Sequence, residues 1–137
     1  MELQLLRIRE ATGDTILNHP QAIYETMRAE AHADRECLWV LHLNTRLMII
    51  DKELVHMGTL DASLVHPREV FRKAIINSAA SIATVHNHPS GSLEPSSEDK
   101  VIWKQLKGAG ELLGIKVVDN LIISCQGYYS DSERKVE

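Results

Sequence analysis

The chain has 137 residues, of which 44% are hydrophobic and 25% are charged, proportions that are typical of a single soluble globular domain with its own core. The formal net charge is −4, so there is no overall positive charge that would attract nucleic acid. No apolar run approaches the ~18 residues of a membrane-spanning helix, and no basic segment followed by an apolar one opens the chain. We therefore expect residues 1–137 to form one cytoplasmic domain without a membrane segment.

The first half of the sequence predicts three strands and one helix. Residues 3–8 are expected to form a short strand, and Pro20 suits the first turn of a helix. Ile23, Met27 and Ala31 would share one face of that helix. Residues 37–43 and 47–56 are predicted strands on either side of a turn at 44–46, so they should pair as a hairpin. A loop follows at 58–66.

The second half predicts two helices between buried strands. Pro67 starts a helix whose core-facing residues are Val70, Phe71, Ala74, Ile75 and Ala79. A strand is predicted at 81–85 and a third helix at 97–113, ended by Gly114. The apolar stripe of that helix consists of Val101, Ile102, Leu106, Ala109 and Leu113. Strands are predicted at 115–124 and 127–130, and residues 131–137 are predicted to be a frayed tail. This order indicates the α/β class in its mixed α+β form, with a hairpin-containing mixed sheet flanked by helices.

A candidate metal site follows the strand at 81–85. His86 and His88 are two positions apart, so on an extended strand both imidazoles face the same side. The turn formers at 89–91 come next, and a helix start then puts Asp99 in its first turn. Two histidines and one carboxylate give three protein ligands, the number typical of a catalytic zinc that keeps one position open for water.

Ser96 and Asp99 also have an explanation that needs no metal. Their spacing, Ser-x-x-acid, is that of a capping box at a helix N-terminus. The two interpretations are compatible, because a capped helix fixes both a carboxylate ligand and a hydroxyl in place. Together with the turn and the histidine pair, this spacing favours a metal site.

Hydrolysis at such a site requires a general base near the attacking water. A glutamate would serve, and spacing alone does not choose among the candidates, which are Glu36, Glu53, Glu69, Glu94 and Glu98.

The pattern His-x-His, seven residues, Ser, two residues, Asp resembles the signature of the JAB/MPN (JAMM) metalloproteases. His86, His88, Ser96 and Asp99 match it without a gap. The local sequence resembles the bacterial RadC-like branch more closely still, in four segments: HNHPSG at 86–91, the pattern Pro-Ser-x-x-Asp at 95–99, GTL at 58–60 and PRE at 67–69. The resemblance extends over roughly residues 3–130.

The resemblance implies a zinc-dependent hydrolase of peptide or isopeptide bonds. It implies His86, His88 and Asp99 as zinc ligands and Ser96 as the residue that hydrogen-bonds the substrate carbonyl oxygen. The family's glutamate lies at the start of the first long central strand, which in this sequence is the position of Glu36. Glu53, in the following strand, remains the main rival for the role of base.

Other functions receive less support from the sequence. A non-catalytic accessory of DNA repair, which the RadC name suggests, would be expected to have lost metal ligands, and all three are present. A zinc deaminase would need His-x-Glu and Pro-Cys-x-x-Cys motifs, and neither occurs in the sequence. The expected partner is therefore a peptide or protein substrate, with DNA binding not expected and the oligomeric state undetermined.

Overall fold

A mixed sheet organises the structure, a computed structural model that describes residue 11 and residues 14–136. The elements within these residues are, in order, α1 (Pro20–Met27), a 3₁₀ helix (Arg28–His32), β1 (Cys37–Leu43), β2 (Ile49–Met57), α2 (Pro67–Ile76), β3 (Ser81–Asn87), α3 (Ser97–Leu113), β4 (Lys116–Ser124), β5 (Gly127–Ser130) and β6 (Lys135–Val136). The strand order in the sheet is β2-β1-β3-β4-β5-β6. The predicted fold class is confirmed.

One pair of strands makes the sheet mixed. β3 and β4 run parallel, and the other neighbouring pairs run antiparallel. A parallel pair needs a crossover connection, and α3 supplies it. The start of α3 consequently lies close to the end of β3, where the predicted metal ligands are.

The core lies on both faces of the sheet. On one face, β1 residues such as Leu38 pack with Phe71 of α2 and Leu106 of α3. On the other face, Leu41 and neighbouring strand residues pack with α1. β3, which carries the site, is buried along its whole length because helices cover the sheet on both sides.

Three residues predicted to face the core are exposed instead. Ile75 is 52% exposed, Val101 45% and Leu113 49%. Ile75 and Leu113 lie in the last turns of α2 and α3, and Val101 lies at the edge of its stripe. At 100° per residue these positions rotate away from the sheet, so the predicted apolar faces were too wide.

The C-terminal segment, predicted to be a frayed tail, contains a turn and a short strand. Within the predicted tail, residues 131–134 form a turn and Lys135–Val136 pair with β5, opposite Ser130 and Tyr129. The predicted strand at 3–8 lies outside the described residues. Among the residues that are described, none belongs to a helix long and apolar enough to cross a bilayer.

Candidate metal centre and active site

Three sequence-predicted ligands converge where β3 ends and α3 begins. His86 Nδ1 lies 3.3 Å from Asp99 Oδ1, and His88 Nε2 lies 3.4 Å from Asp99 Oδ2. One potential ligand atom from each residue lies within 4.8 Å of the others. Within the described part of the chain, this is the one group of three such side chains close enough to share an ion.

The His88 ring is oriented by a backbone carbonyl. Its Nδ1 lies 2.9 Å from the carbonyl oxygen of Ser92. A carbonyl can only accept a hydrogen bond, so the neutral ring must carry its proton on Nδ1. Nε2, which faces Asp99, then presents a lone pair, the arrangement found in metal-binding histidines.

His86 and Asp99 carry buried polar atoms that suit a cation. The side chains are only 2% and 1% exposed. Both ring nitrogens of His86 and Oδ1 of Asp99 have no hydrogen-bond partner among the described residues. An unsatisfied buried polar atom costs about 1–3 kcal/mol, and several in one place call for an occupant. Two imidazoles and a carboxylate are the donors that zinc and related divalent metals prefer, so the residues present fit a metal.

The environment keeps Asp99 ionised. Burial raises the pKa of its carboxyl group, but the facing imidazoles of His86 and His88 and the N–H of Ser96 outweigh burial and hold the pKa well below its usual range. For His88, burial lowers the pKa, and contacts with Asp99 and the Ser92 carbonyl raise it by more. A metal would take the place of that proton, since it needs the unprotonated ring.

Ser96 is the N-cap of α3 and forms a capping box with Asp99. Its Oγ accepts a hydrogen bond from the Asp99 N–H at 3.0 Å. The hydroxyl hydrogen is still available to donate toward the neighbouring cavity. The N-terminal end of the helix dipole also favours negative charge at this point.

Glu36 lies beside the same centre, one residue before β1. Its Oε2 is 4.0 Å from His86 Nε2 and accepts a hydrogen bond from the Leu60 N–H at 3.1 Å. The Glu36 carbonyl accepts from the Gly58 N–H at 2.8 Å. The loop after β2 thus holds both the backbone and the carboxylate of Glu36.

Glu53 points to a different part of the molecule. It is paired with Val40 in the sheet, and its Oε1 lies 3.5 Å from Nε2 of His42, a fully buried ring. Glu53 is absent from the residues that line the cavity described below. The structure therefore brings Glu36, and not Glu53, to the three potential ligands.

An open cavity of about 360 Å³ lies over the centre. The remaining glutamates divide between it and the surface: Glu94 and Glu98 line the cavity, whereas Glu69 contacts Arg68 on the surface. The complete lining is Glu36, Thr59, Leu60, His86, His88, Ser90, Ser92, Glu94, Ser96, Glu98 and Asp99.

Sequence reasoning missed one buried residue of the site, Asn87. Its amide forms hydrogen bonds with the backbone on both sides of Glu36. A buried amide between two histidines at a strand end was the available signal, because such a group must find partners nearby. The partners are about 50 residues earlier, so spacing could not identify them.

Comparisons with a family model and with individual proteins identify the relatives of this chain. The model of the RadC-like JAB domain matches residues 17–136. A UPF0758 protein of Thermotoga maritima is 44% identical over 111 residues, which are 81% of this chain and 50% of that protein. For UPF0758 proteins of Symbiobacterium thermophilum and Finegoldia magna the identity is 46%, over 86% and 87% of this chain and 51% and 54% of theirs. The chain spans about half the length of these relatives.

Proposed function

Because the chain belongs to the RadC-like JAB domain family, we propose that it is a zinc-dependent metallopeptidase of the JAMM type that hydrolyses a peptide or isopeptide bond. His86, His88 and Asp99 would hold the metal. The observation that carries the proposal is the group of buried, unpartnered atoms on His86 and Asp99 with the carboxylate of Glu36 4.0 Å from the imidazole.

The bound ion would supply a Lewis acid that makes a water molecule acidic enough to act as a nucleophile near neutral pH. Glu36 would take the proton from that water and deliver it to the leaving nitrogen. The Leu60 N–H, which already binds Oε2, would keep the carboxylate oriented. This arrangement leaves the other carboxylate oxygen of Glu36 for the proton transfer.

Ser96 would stabilise the charge that develops on the substrate carbonyl oxygen. Ser96 lines the cavity, and its Oγ accepts a hydrogen bond from the Asp99 N–H, so its hydroxyl hydrogen can donate to the substrate. Loss of one such donor typically lowers kcat by ~10²–10³-fold. The Ser92 carbonyl would meanwhile keep the His88 ring in the orientation that a ligand requires.

Two alternatives have less support. A zinc deaminase uses cysteine ligands and a glutamate two residues after a histidine, and the group found here is His, His and Asp. A non-catalytic role in DNA repair would not require the group of His86, His88 and Asp99, or the carboxylate of Glu36 beside it.

The decisive experiment compares two glutamate substitutions on a zinc-loaded protein. A peptide library that includes lysine-linked isopeptides would first identify a cleaved substrate, with a chelator abolishing cleavage and zinc restoring it. We expect Glu36→Gln to keep about one zinc per chain and to lose activity by ~10²–10⁴-fold, the range for removal of a general base. Glu53→Gln is the matched control and should stay active. The proposal would be contradicted if Glu36→Gln kept full activity, or if Glu53→Gln lost activity.

A further inference from the structure

Asn87 lies between the two histidines and is fully buried. Its Oδ1 accepts a hydrogen bond from the Cys37 N–H at 2.6 Å, and its Nδ2 donates to the Arg35 carbonyl oxygen at 2.7 Å. These two backbone groups belong to the peptide bonds immediately before and after Glu36. One side chain therefore binds both peptide units that carry Glu36.

The position of Asn87 in the sheet explains this contact. The antiparallel ladder between β1 and β3 has Leu38 opposite His86, which puts Cys37 beside Asn87 at the end of the ladder. There the Asn87 side-chain amide, with one acceptor and one donor, forms the two hydrogen bonds that a backbone peptide group would form in a regular ladder. The backbone of β1 is thereby held to β3 one step beyond the last regular pair.

We infer that Asn87 is a positioning residue, which fixes the general base Glu36 relative to the strand that carries His86 and His88. This inference rests on the proposed function. Only a side chain of this length with both a donor and an acceptor can bind the two groups together. Aspartate keeps the acceptor and lacks the donor, and leucine keeps the approximate size and lacks both.

Small displacements of the base have large effects on catalysis. A misplacement of ~1 Å can cost ~10²-fold in rate. Glu36 lies before the first pair of the β1–β3 ladder, Leu38 with His86, so ladder hydrogen bonds do not tie it to the strand that carries the histidines. The Asn87 amide does not bind the imidazoles or Asp99, so its loss should affect the base more than the metal.

The test compares Asn87→Asp and Asn87→Leu with the same substitutions at Asn120. Asn120 is also a buried asparagine, 4% exposed, whose Oδ1 accepts a hydrogen bond from Thr84, and it does not line the cavity. Each variant that folds is measured under conditions in which it remains folded. The readouts are zinc content, kcat, KM and the hydrogen exchange rate of the Leu60 amide, which reports on Glu36 through its bond to Oε2.

For both Asn87 variants we expect about one zinc per chain, a kcat at least tenfold lower than that of the wild type, and little change in KM. The Leu60 amide should exchange at least tenfold faster than in the wild type, while the amides of α3 exchange at unchanged rates. The Asn120 variants should show none of these local changes. If Asn87→Asp does not fold, the uncharged Asn87→Leu gives the same comparison.

Equal Leu60 exchange and equal kcat in the Asn87 and Asn120 variants would overturn the inference. Failure of the proposed function looks different. In that case the wild-type protein cleaves nothing, and the exchange of Leu60 alone still decides whether Asn87 positions Glu36.

Discussion

Ser96 and Asp99 exchange two hydrogen bonds at the start of α3. The Ser96 N–H donates to Asp99 Oδ2 at 2.8 Å, and the Asp99 N–H donates to Ser96 Oγ at 3.0 Å. The first bond uses one carboxylate oxygen and leaves Oδ1 directed at His86. The second fixes the serine oxygen and leaves its hydrogen free to donate. A common helix-capping device thus orients one candidate metal ligand and one hydroxyl toward the same cavity.

Substitutions of Ser96 should separate its capping role from its proposed catalytic role. Ser96→Ala removes the cap, which is worth about 0.5–2 kcal/mol, and we also expect kcat to fall by ~10-fold or more while the protein remains folded. Ser96→Asp retains a good capping residue but has no hydroxyl hydrogen when ionised, so it should be stable and inactive. The checks are urea denaturation and kcat on the same preparations. An active Ser96→Asp would mean that Ser96 is only structural.

The candidate metal ligands could be predicted from the sequence more fully than other parts of the site could. His86, His88 and Asp99 lie within 14 positions of one another, so strand periodicity and a helix start were enough to predict that they meet. Glu36 is distant in sequence and reaches the centre only because Leu38 pairs with His86. Spacing does not specify that register, so several glutamates stayed possible until a family resemblance selected one.

Long-range contacts account for what was not predicted. The Asn87 amide binds backbone groups 50 and 52 positions earlier, a relationship with no local signature. Val101 has the hydrophobicity of a core residue but lies on the solvent side of α3, because the width of a buried helix face depends on its neighbours. The pairing of Lys135–Val136 with β5 likewise depends on an available strand edge, not on the polar composition of the segment.

Metal binding should depend on His88 and should stabilise the fold. We expect about one zinc per chain in the wild type and a large loss in His88→Ala, with His32→Ala, an exposed histidine outside the site, unchanged. A ligand at 100 times its Kd adds about 2.7 kcal/mol to stability, so a chelator should lower the Tm of the wild type and leave that of His88→Ala nearly constant. Elemental analysis and thermal denaturation measure both effects. Equal zinc in wild type and His88→Ala would exclude His88 as a ligand.

Two glycines of α3 should respond in opposite ways to alanine. A Cβ on Gly110 would clash with the Ile115 carbonyl oxygen, whereas one on Gly108 meets nothing within 4 Å. Overpacking against backbone costs about 1–3 kcal/mol, so Gly110→Ala should lower the free energy of unfolding. Gly108→Ala should raise it by up to about 1 kcal/mol, since alanine is the better helix former. Urea denaturation of both variants tests this, and equal stability of the two would show that the Ile115 carbonyl does not approach α3 so closely.

Asp51 and Glu53, two residues apart on β2, have pKa values displaced in opposite directions. Burial raises the pKa of Asp51, but hydrogen bonds from the Lys52 N–H and the Asn77 amide and the charge of Lys73 outweigh it, so the pKa is lowered. Burial is the main cause that raises the pKa of Glu53, and the nearby charge of Lys73 opposes it only in part.

The two shifts predict opposite dependences of stability on pH. The lowered pKa of Asp51 gives stability that is present above its unfolded value of about 3.9 and is lost as pH falls through the folded pKa. The raised pKa of Glu53 gives stability that is present below its unfolded value of about 4.3 and is lost as pH rises through the folded pKa.

We therefore expect Asp51→Asn to lower the free energy of unfolding at pH 7 and to flatten its decline below pH ~4. Glu53→Gln should leave stability at pH 7 unchanged or higher and remove a decline above pH ~4.3. Urea denaturation of the wild type and both variants from pH 3 to 8 measures these slopes. If both substitutions changed the pH dependence of the free energy of unfolding in the same direction relative to the wild type, the opposite pKa shifts assigned to Asp51 and Glu53 would be wrong.

The last prediction concerns DNA, which the charges of the protein do not favour. Binding to nucleic acid depends on basic groups that neutralise phosphates, and the chain has 15 basic against 19 acidic residues. The basic residues of α2 are partly engaged, since Lys73 lies 3.5 Å from Asp51 and Arg68 lies 3.6 Å from Glu69. The lining of the cavity includes four carboxylates and, among the described residues, no lysine or arginine.

We expect this chain to bind DNA no more tightly than ~10⁻⁴ M at physiological salt, the weak end of non-specific binding. Fluorescence anisotropy with labelled single-stranded and duplex oligonucleotides, repeated over a series of salt concentrations, tests this. A true electrostatic complex would weaken steeply with salt, by about one power of the salt concentration for each phosphate neutralised. Micromolar binding with such a slope would contradict this expectation and would favour a role in DNA processing over peptide hydrolysis.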